Sequence, residues 1–255
     1  MRIIRFLDEG APRYGWVLGG EVGLIVGQPF GSFKRDSAKL PLDGLQLLPP
    51  VSPSKIICVG RNYVAHAQEH DAEVPDQPLL FLKPPSSIIG PGETILLPPQ
   101  SQRVEHEAEL AVVIGKTGRW LDPESALDAV YGYTIANDVT ARDLQRRDGQ
   151  WTRGKGFDTF CPVGPWIETD FDPADSVVSC TVNGELRQMG STRDMVFRVR
   201  QLVAYASSVM TLEPGDLLLT GTPAGVGLLQ DGDEVAVSIE GLGELKNPVK
   251  AEQPH

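Results

Sequence analysis

Apolar and polar positions alternate over short spans along much of this chain, and glycine or proline closes most of those spans. Period-two alternation bounded by turn residues predicts β-strands. In the first fifty residues it predicts a strand at Arg2–Leu7 and a hairpin-like pair, Trp16–Leu18 and Val22–Val26, turning at Gly19-Gly20. Further strands are predicted at Ile56–Val59, Leu110–Ile114, Tyr131–Ala136, Leu217–Thr220, Glu234–Ile239 and beyond Gly243. Val177–Val182 runs into Asn183-Gly184, a dipeptide that accepts the positive φ angles of a two-residue hairpin turn. Two segments read as helices. Asp122-Pro123 supplies an N-cap and a first-turn proline for Glu124–Val130. Apolar residues from Val196 to Met210 recur at spacings of three and four, which predicts an amphipathic helix from Asp194 to Met210. The pattern is that of an α+β chain, mainly β.

Leu47–Pro53 contains three prolines and reads as a linker, so the chain divides into a small N-terminal β module, residues 1–50, and a larger unit, residues 51–255. The proline-rich tract Pro75–Pro99 reads as an ordered surface passage.

Composition narrows the range of functions. Hydrophobic residues make up 41% and charged residues 22% of the 255, enough for a sizeable core. The net charge of −11, with no long Lys/Arg run, disfavours nucleic acid and anionic membrane surfaces as partners. Three cysteines, Cys58, Cys161 and Cys180, form no CxxC pair and suggest reduced thiols. No signal-peptide pattern opens the chain, and no apolar run approaches the ~18 residues of a membrane span. The expected location is the cytoplasm.

The chemistry concentrates in acidic residues beside strands. In Glu105-His106-Glu107-Ala108-Glu109, strand alternation places Glu105, Glu107 and Glu109 on one face. Like charges on one face repel unless solvent or a cation relieves them, so the segment is either a solvated edge or part of a metal site. Asp138, at the end of the predicted strand Tyr131–Ala136, can complete an all-oxygen set suited to Mg²⁺ or Mn²⁺, with Ca²⁺ also accommodated. The four histidines, His66, His70, His106 and His255, form no zinc motif, and His106 reads as structural. His66 and Glu69 are one helical turn apart, either a chance surface pair or a carboxylate-oriented base that activates water. Arg142 and Gln145 follow Asp138, with Lys155 further on. Arg142 can fork onto a substrate carboxylate, and Lys155 can stabilise an enolate. Lys83 is a further cation candidate. Thr222, in the glycine-rich Gly221–Gly227, can bind a carboxylate or simply serve a turn.

Six segments, taken together, resemble the fumarylacetoacetate hydrolase family. They are Cys58–Tyr63, Phe81–Pro84, Glu107–Leu110, Asn137–Asp143, Trp151–Lys155 and Gly221–Gly227, in family order across roughly residues 51–250. The resemblance implies a mixed β-sandwich roll and a homodimer. It implies Glu107, Glu109 and Asp138 as metal ligands, leaving Glu105 out. It makes His66 and Glu69 a water-activating pair on a lid segment, and Arg142, Gln145, Lys155 and Thr222 substrate or enolate contacts. The first fifty residues are too short for the larger N-terminal domain of the eukaryotic tyrosine-breakdown enzyme. The chain is more similar to the shorter bacterial members, acylpyruvases, oxaloacetate decarboxylases and hydroxyhepta-dienedioate isomerases.

The leading expectation is metal-dependent hydrolysis of a carbon–carbon bond in a small 2,4-dioxo acid. Decarboxylation or isomerisation of another 2-oxo or 2-hydroxy acid through the same enolate is the nearest alternative. A metal-stabilised binding protein without catalysis is the alternative of another class.

Overall fold

A computed structural model describes residues 1–37, 39–69 and 71–253 of the chain. His70 and His255 lie outside the described residues.

Short alternating segments bury one face each, so they must pair and stack. Among the described residues, the largest sheet has thirteen strands. Its N-terminal part is the meander β1 (Arg2–Asp8), β2 (Ala11–Leu18) and β3 (Glu21–Gly27). Then come β4 (Ile56–Gly60), β5 (Leu79–Lys83), the short β6 (Val104–His106), β7 (Ala108–Ile114) and β8 (Val130–Asn137). β9 (Cys161–Glu168), the hairpin β10 (Val177–Val182) and β11 (Glu185–Ser191), β12 (Leu217–Leu219), β13 (Glu234–Ile239) and β14 (Gly243–Ala251) complete the main strands. The large sheet runs β3-β2-β1-β9-β8-β7-β12-β4-β5, and a second sheet contains β14-β13-β10-β11. β6 pairs instead with Thr140–Ala141 and Gly227–Leu228 in a third, small sheet. Pairing is antiparallel in the core of the large sheet except between β12 and β4, where Leu217–Leu219 lie beside Ile56–Cys58 in parallel.

β7 is buried on both faces, as expected for a strand between two apolar layers. Leu110, Val112 and Ile114 pack towards Val178, Val235 and Val237 of the second sheet and Leu202 and Val203 of the helix over Val199–Val209. Ala111 and Val113 belong to a separate cluster with Cys58, Val163 and Leu219. Full burial of each such aliphatic side chain is worth about 1.5–3 kcal/mol.

The first fifty residues extend the large sheet. β1 pairs with β9 at Arg2–Glu168 and Ile3–Ile167, and the Met1 ammonium lies 2.5 Å from Glu168 and 2.6 Å from Asp170. Ile3 joins the cluster of Val163 and Leu219 rather than that of its own module.

Three sequence expectations need correction. Glu124–Val130 is not an α-helix: a short 3₁₀ turn spans Ala126–Ala129, and Val130 opens β8. There the Asp122 carboxylate accepts from Glu124 N–H two residues on, a local turn that competes with a helix start. The longer helix begins at Val199, because Asn62 clamps the backbone of Phe197 by accepting from its N–H and donating to its carbonyl. The proline-rich tract is not just a surface passage, since it contains β5 and buries Lys83, Ser87, Ile89 and Ile95.

Because β1 shares a sheet and a core cluster with the rest, Ile3→Ala is expected to destabilise the whole protein by about 2–5 kcal/mol. Urea unfolding should show one transition shifted as a unit. A separate early transition confined to the first fifty residues would contradict this coupling.

Candidate active site

The acidic segment is interrupted where the sequence suggests a single strand. β6 ends at His106, Glu107 is the break, and β7 starts at Ala108 in a different sheet. Asn137 holds the break by accepting from Glu107 N–H at 2.9 Å, and the Glu107 carbonyl accepts from Asp138 N–H at 2.9 Å. Glu109 stands opposite Ala136 on β8. Glu107, Glu109 and Asp138 consequently each present a carboxylate oxygen within 4.8 Å of the other two. All three are buried, at 4%, 2% and 0% exposure. Glu105 turns elsewhere: its carboxylate accepts from Arg103 and from Arg142 Nε.

Cations surround this trio. Lys83 Nζ is 2.6 Å from Asp138 Oδ1, and Lys155 Nζ is 2.7 Å from Asp138 Oδ2 and 2.9 Å from Glu107 Oε2. Arg142 donates from Nη2 to Glu107 at 2.5 Å and from Nη1 to Gln145 at 2.7 Å, bridging Glu105 and Glu107. Lys155 reaches the site from a short helix, Thr152–Lys155, packed on the Arg142–Asp148 helix. A Cβ at Gly154 would lie 2.9 Å from the Gln145 backbone, so only glycine allows that approach.

The electrostatics follow from these contacts. Burial alone raises the Glu107 carboxyl, but Lys155 and Arg142 outweigh it and hold Glu107 well below the usual carboxylate range. Burial, with Asp138 and Glu107 as like-charged neighbours, pushes Glu109 well above that range, against a hydrogen bond from Gly221 N–H. Burial lowers Lys155, yet Asp138 and Glu107 raise it to about 12.

A cavity of about 280 Å³ opens at Glu107 and Glu109, while Asp138 is not among its lining residues. Glu107, Glu109, His66, Arg142, Gln145, Lys155 and Thr222 line it, with Arg61, Phe81, Arg146 and Trp151 among its other walls. His66 lies on a six-residue helix, Val64–Glu69, with Nδ1 3.5 Å from Glu69 Oε2. Gly225 N–H points at both Glu69 oxygens at 3.2 Å. Burial, the largest effect, lowers the His66 pKa from 6.5 despite the pull of Glu107, so the imidazole is neutral at pH 7.

The structure brings together nearly every residue singled out from the sequence. Lys83 sits against Asp138 and the Val139 carbonyl rather than in the cavity wall. The Thr222 hydroxyl is committed to the protein, donating to Ala108 O and accepting from Gln188. His106 is fully buried, with Nδ1 2.9 Å from Gln188 Oε1. Sequence reasoning missed Asn137, the Gly221 N–H, Gln188 and the aromatic pair Phe81–Trp151, whose centroids are 5.1 Å apart. Asn137 precedes a ligand candidate and could have been weighed as its support; Gln188 carries no local signal.

These features match known proteins over the whole length. Residues 55–250 match the family model described as fumarylacetoacetate (FAA) hydrolase C-terminal, and residues 1–50 the one described as Rv2993c-like, N-terminal. The chain belongs to the fumarylacetoacetate hydrolase family. It is 48% identical over 245 residues to the protein named oxaloacetate tautomerase Fahd2a, mitochondrial, of Rattus norvegicus, covering 90% of this chain and 77% of that one. It resembles the crystal structure of 2-hydroxyhepta-2,4-diene-1,7-dioate isomerase from Mycobacterium marinum, with TM-score 0.93 and 44% identity over 100% of both chains. Maleylpyruvate hydrolase from Sphingobium sp. SYK-6, in complex with manganese (II) ion and pyruvate, matches with TM-score 0.82 and 36% identity over 99% of this chain and 100% of that one. No helix among the described residues is long and apolar enough to cross a membrane.

The donor set fits a divalent ion: three buried carboxylates offer hard oxygen ligands in one small volume, and Glu109 has no lysine or arginine bound to it among the described contacts. Adding Mn²⁺ or Mg²⁺ at about a hundred times its Kd should stabilise the protein by about 2.7 kcal/mol. Thermal unfolding with metal and with chelator measures this. Glu107→Ala and Asp138→Ala should lose the metal-dependent shift, whereas His66→Ala should keep it.

Proposed function

We propose that this protein is a divalent-metal-dependent enzyme that forms and consumes the enolate of a small 2-oxo acid. The leading reaction is hydrolysis of a carbon–carbon bond in a 2,4-dioxo acid of the acylpyruvate type. The observation that carries this reading is the cavity lined both by Glu107 and Glu109 of the acidic trio and by a neutral, carboxylate-flanked histidine. Relatives named as a tautomerase, an isomerase and a hydrolase support enolate chemistry as the common element. The manganese and pyruvate in the Sphingobium structure support a metal with a 2-oxo acid.

Glu107, Glu109 and Asp138 hold the ion, with Mg²⁺ or Mn²⁺ the best-matched species. The ion supplies positive charge beside the 2-oxo group. Lys155, kept protonated by its carboxylate partners, adds a fixed positive charge at the cavity wall where an enolate oxygen develops. Arg142, oriented by Glu105 and Glu107, keeps Gln145 turned to the substrate side. His66 accepts a proton from water aimed at the distal carbonyl, and Glu69 stabilises the imidazolium that results. Cleavage then releases the enolate of one product and the carboxylic acid of the other, and the proton on His66 returns to the enolate carbon.

A second reading is keto–enol tautomerisation of oxaloacetate, favoured by the Rattus norvegicus relative. There His66 moves a proton between oxygen and carbon, and no water is consumed. Turnover of acetylpyruvate and of oxaloacetate, each with Mn²⁺ and with chelator, separates the two. The hydrolase reading expects metal-dependent loss of acetylpyruvate that falls about 10²- to 10⁴-fold in His66→Ala. Interconversion of oxaloacetate tautomers without acetylpyruvate cleavage would install the second reading, and undiminished turnover in chelator would sink both.

The pH profile follows from His66. Burial lowers its folded pKa from 6.5 and the neutral form is the base, so kcat should fall with acid along a limb centred below 6.5. Measuring kcat from pH 5 to 8 tests this. A limb centred above 6.5 would assign the base elsewhere.

A further inference from the structure

Gln188 is a buried polar side chain that the site as described leaves unexplained. Its neighbours Glu185, Leu186, Arg187 and Met189 on β11 are exposed, whereas Gln188 is fully buried. The hairpin register gives the cause. Val182 faces Glu185 and Thr181 faces Leu186, but Cys180 faces Gln188, so Arg187 is an extra, bulged residue. Without the bulge, Arg187 would stand opposite buried Cys180. The bulge sends the charge outward and the amide inward, a use of bulges common beside functional sites.

The Gln188 amide uses its full hydrogen-bonding capacity. Oε1 accepts from Ala108 N–H at 3.0 Å and from His106 Nδ1–H at 2.9 Å. Nε2 donates to Thr222 Oγ1 and to the Pro223 carbonyl, both at 2.8 Å. Reversing the amide would set its NH₂ group against the Ala108 N–H, so the network permits one orientation. The first two partners flank Glu107. The other two follow Gly221, whose N–H donates to Glu109 at 2.7 Å. Thr222 closes the ring by donating to the Ala108 carbonyl at 2.8 Å.

Independent packing observations show how tightly the hairpin meets this loop. A Cβ at Gly225 would lie 2.2 Å from the Arg187 carbonyl oxygen, and one at Gly190 would lie 2.6 Å from Pro223 Cβ. Glycine at both places lets the two segments touch, which brings Gln188 within reach of both.

We infer that Gln188 is a positioning residue for the metal-binding carboxylates, holding the chain break at Glu107 in register with the loop that supports Glu109. The inference rests on the reading that the trio binds a divalent ion, and it adds that a hairpin outside the cavity sets the spacing of two ligands. A glutamine that only filled the core would affect folding stability, not the affinity of the folded protein for metal.

The experiment is direct Mn²⁺ binding, followed by the electron paramagnetic resonance signal of free Mn²⁺, for wild type and for the near-isosteric Gln188→Met. Circular dichroism and the Tm of the metal-free proteins run alongside. Folded Gln188→Met should bind Mn²⁺ about 10- to 100-fold more weakly, as for other residues that orient metal ligands. A Kd within twofold of wild type, even with a lowered Tm, would overturn the inference. If Gln188→Met does not fold, Thr222→Val removes one strut and keeps the shape. It should weaken Mn²⁺ at least several-fold, and an unchanged Kd there would equally overturn the inference. Wild-type protein that binds no Mn²⁺ would overturn the metal reading itself, and this inference with it.

Discussion

Three carboxylates confined within 4.8 Å in the interior impose the governing constraint on this molecule. At an effective dielectric near 20, each ionised pair at that distance repels by about 3–4 kcal/mol. Protein stability is marginal on that scale, so the surroundings must offset the repulsion. Lys83 and Lys155 reach Asp138, while Lys155 and Arg142 reach Glu107. Among the described contacts, Glu109 receives a backbone N–H and no cationic side chain, and it is the carboxyl pushed upward. The same arrangement suits a divalent cation, which would relieve the least compensated member of the set.

The fold answers that constraint by ending elements at one place. β7 and β8 deliver Glu109 and the Asn137-Asp138 pair side by side, and the switch from β6 to β7 delivers Glu107. Lys83 comes from the end of β5, and Lys155 from a short helix that Gly154 allows to dock. The loop after β12 contributes Gly221 and Thr222, then Gly225, whose N–H meets Glu69 beside His66. A buried site assembled from strand ends and their loops keeps its charges out of water, where their mutual interactions are stronger.

The two halves of the chemistry are held by different kinds of structure. The acidic trio is buried at the ends of paired strands. The His66–Glu69 pair rides on a helix of six residues tied down through Tyr63, Asn62 and the Gly225 contact. A helix that short has little intrinsic stability. Its position depends on those tertiary ties.

Much of this was legible in the chain. Strand positions such as Leu110–Ile114 and the Asn183-Gly184 hairpin follow from local alternation and turn chemistry. The acidic residues could be found because charged groups beside apolar strands are conspicuous, and the family resemblance grouped them. Alternation alone could not separate Glu105 from Glu107 and Glu109, because the strand break at Glu107 arises from pairing with partners far along the chain. Lys83, a cation candidate in the sequence, is buried against a carboxylate from 55 residues away, a partner that no nearby residue announces. The helix expected over Asp194–Met210 lost its first turn to Asn62, more than a hundred residues earlier. The sequence by itself determined the elements and the reactive groups, since both are written in nearby residues. The tertiary structure decided which carboxylates meet, which cations neutralise them and which amide spaces them, because each of those contacts joins residues that only folding brings together.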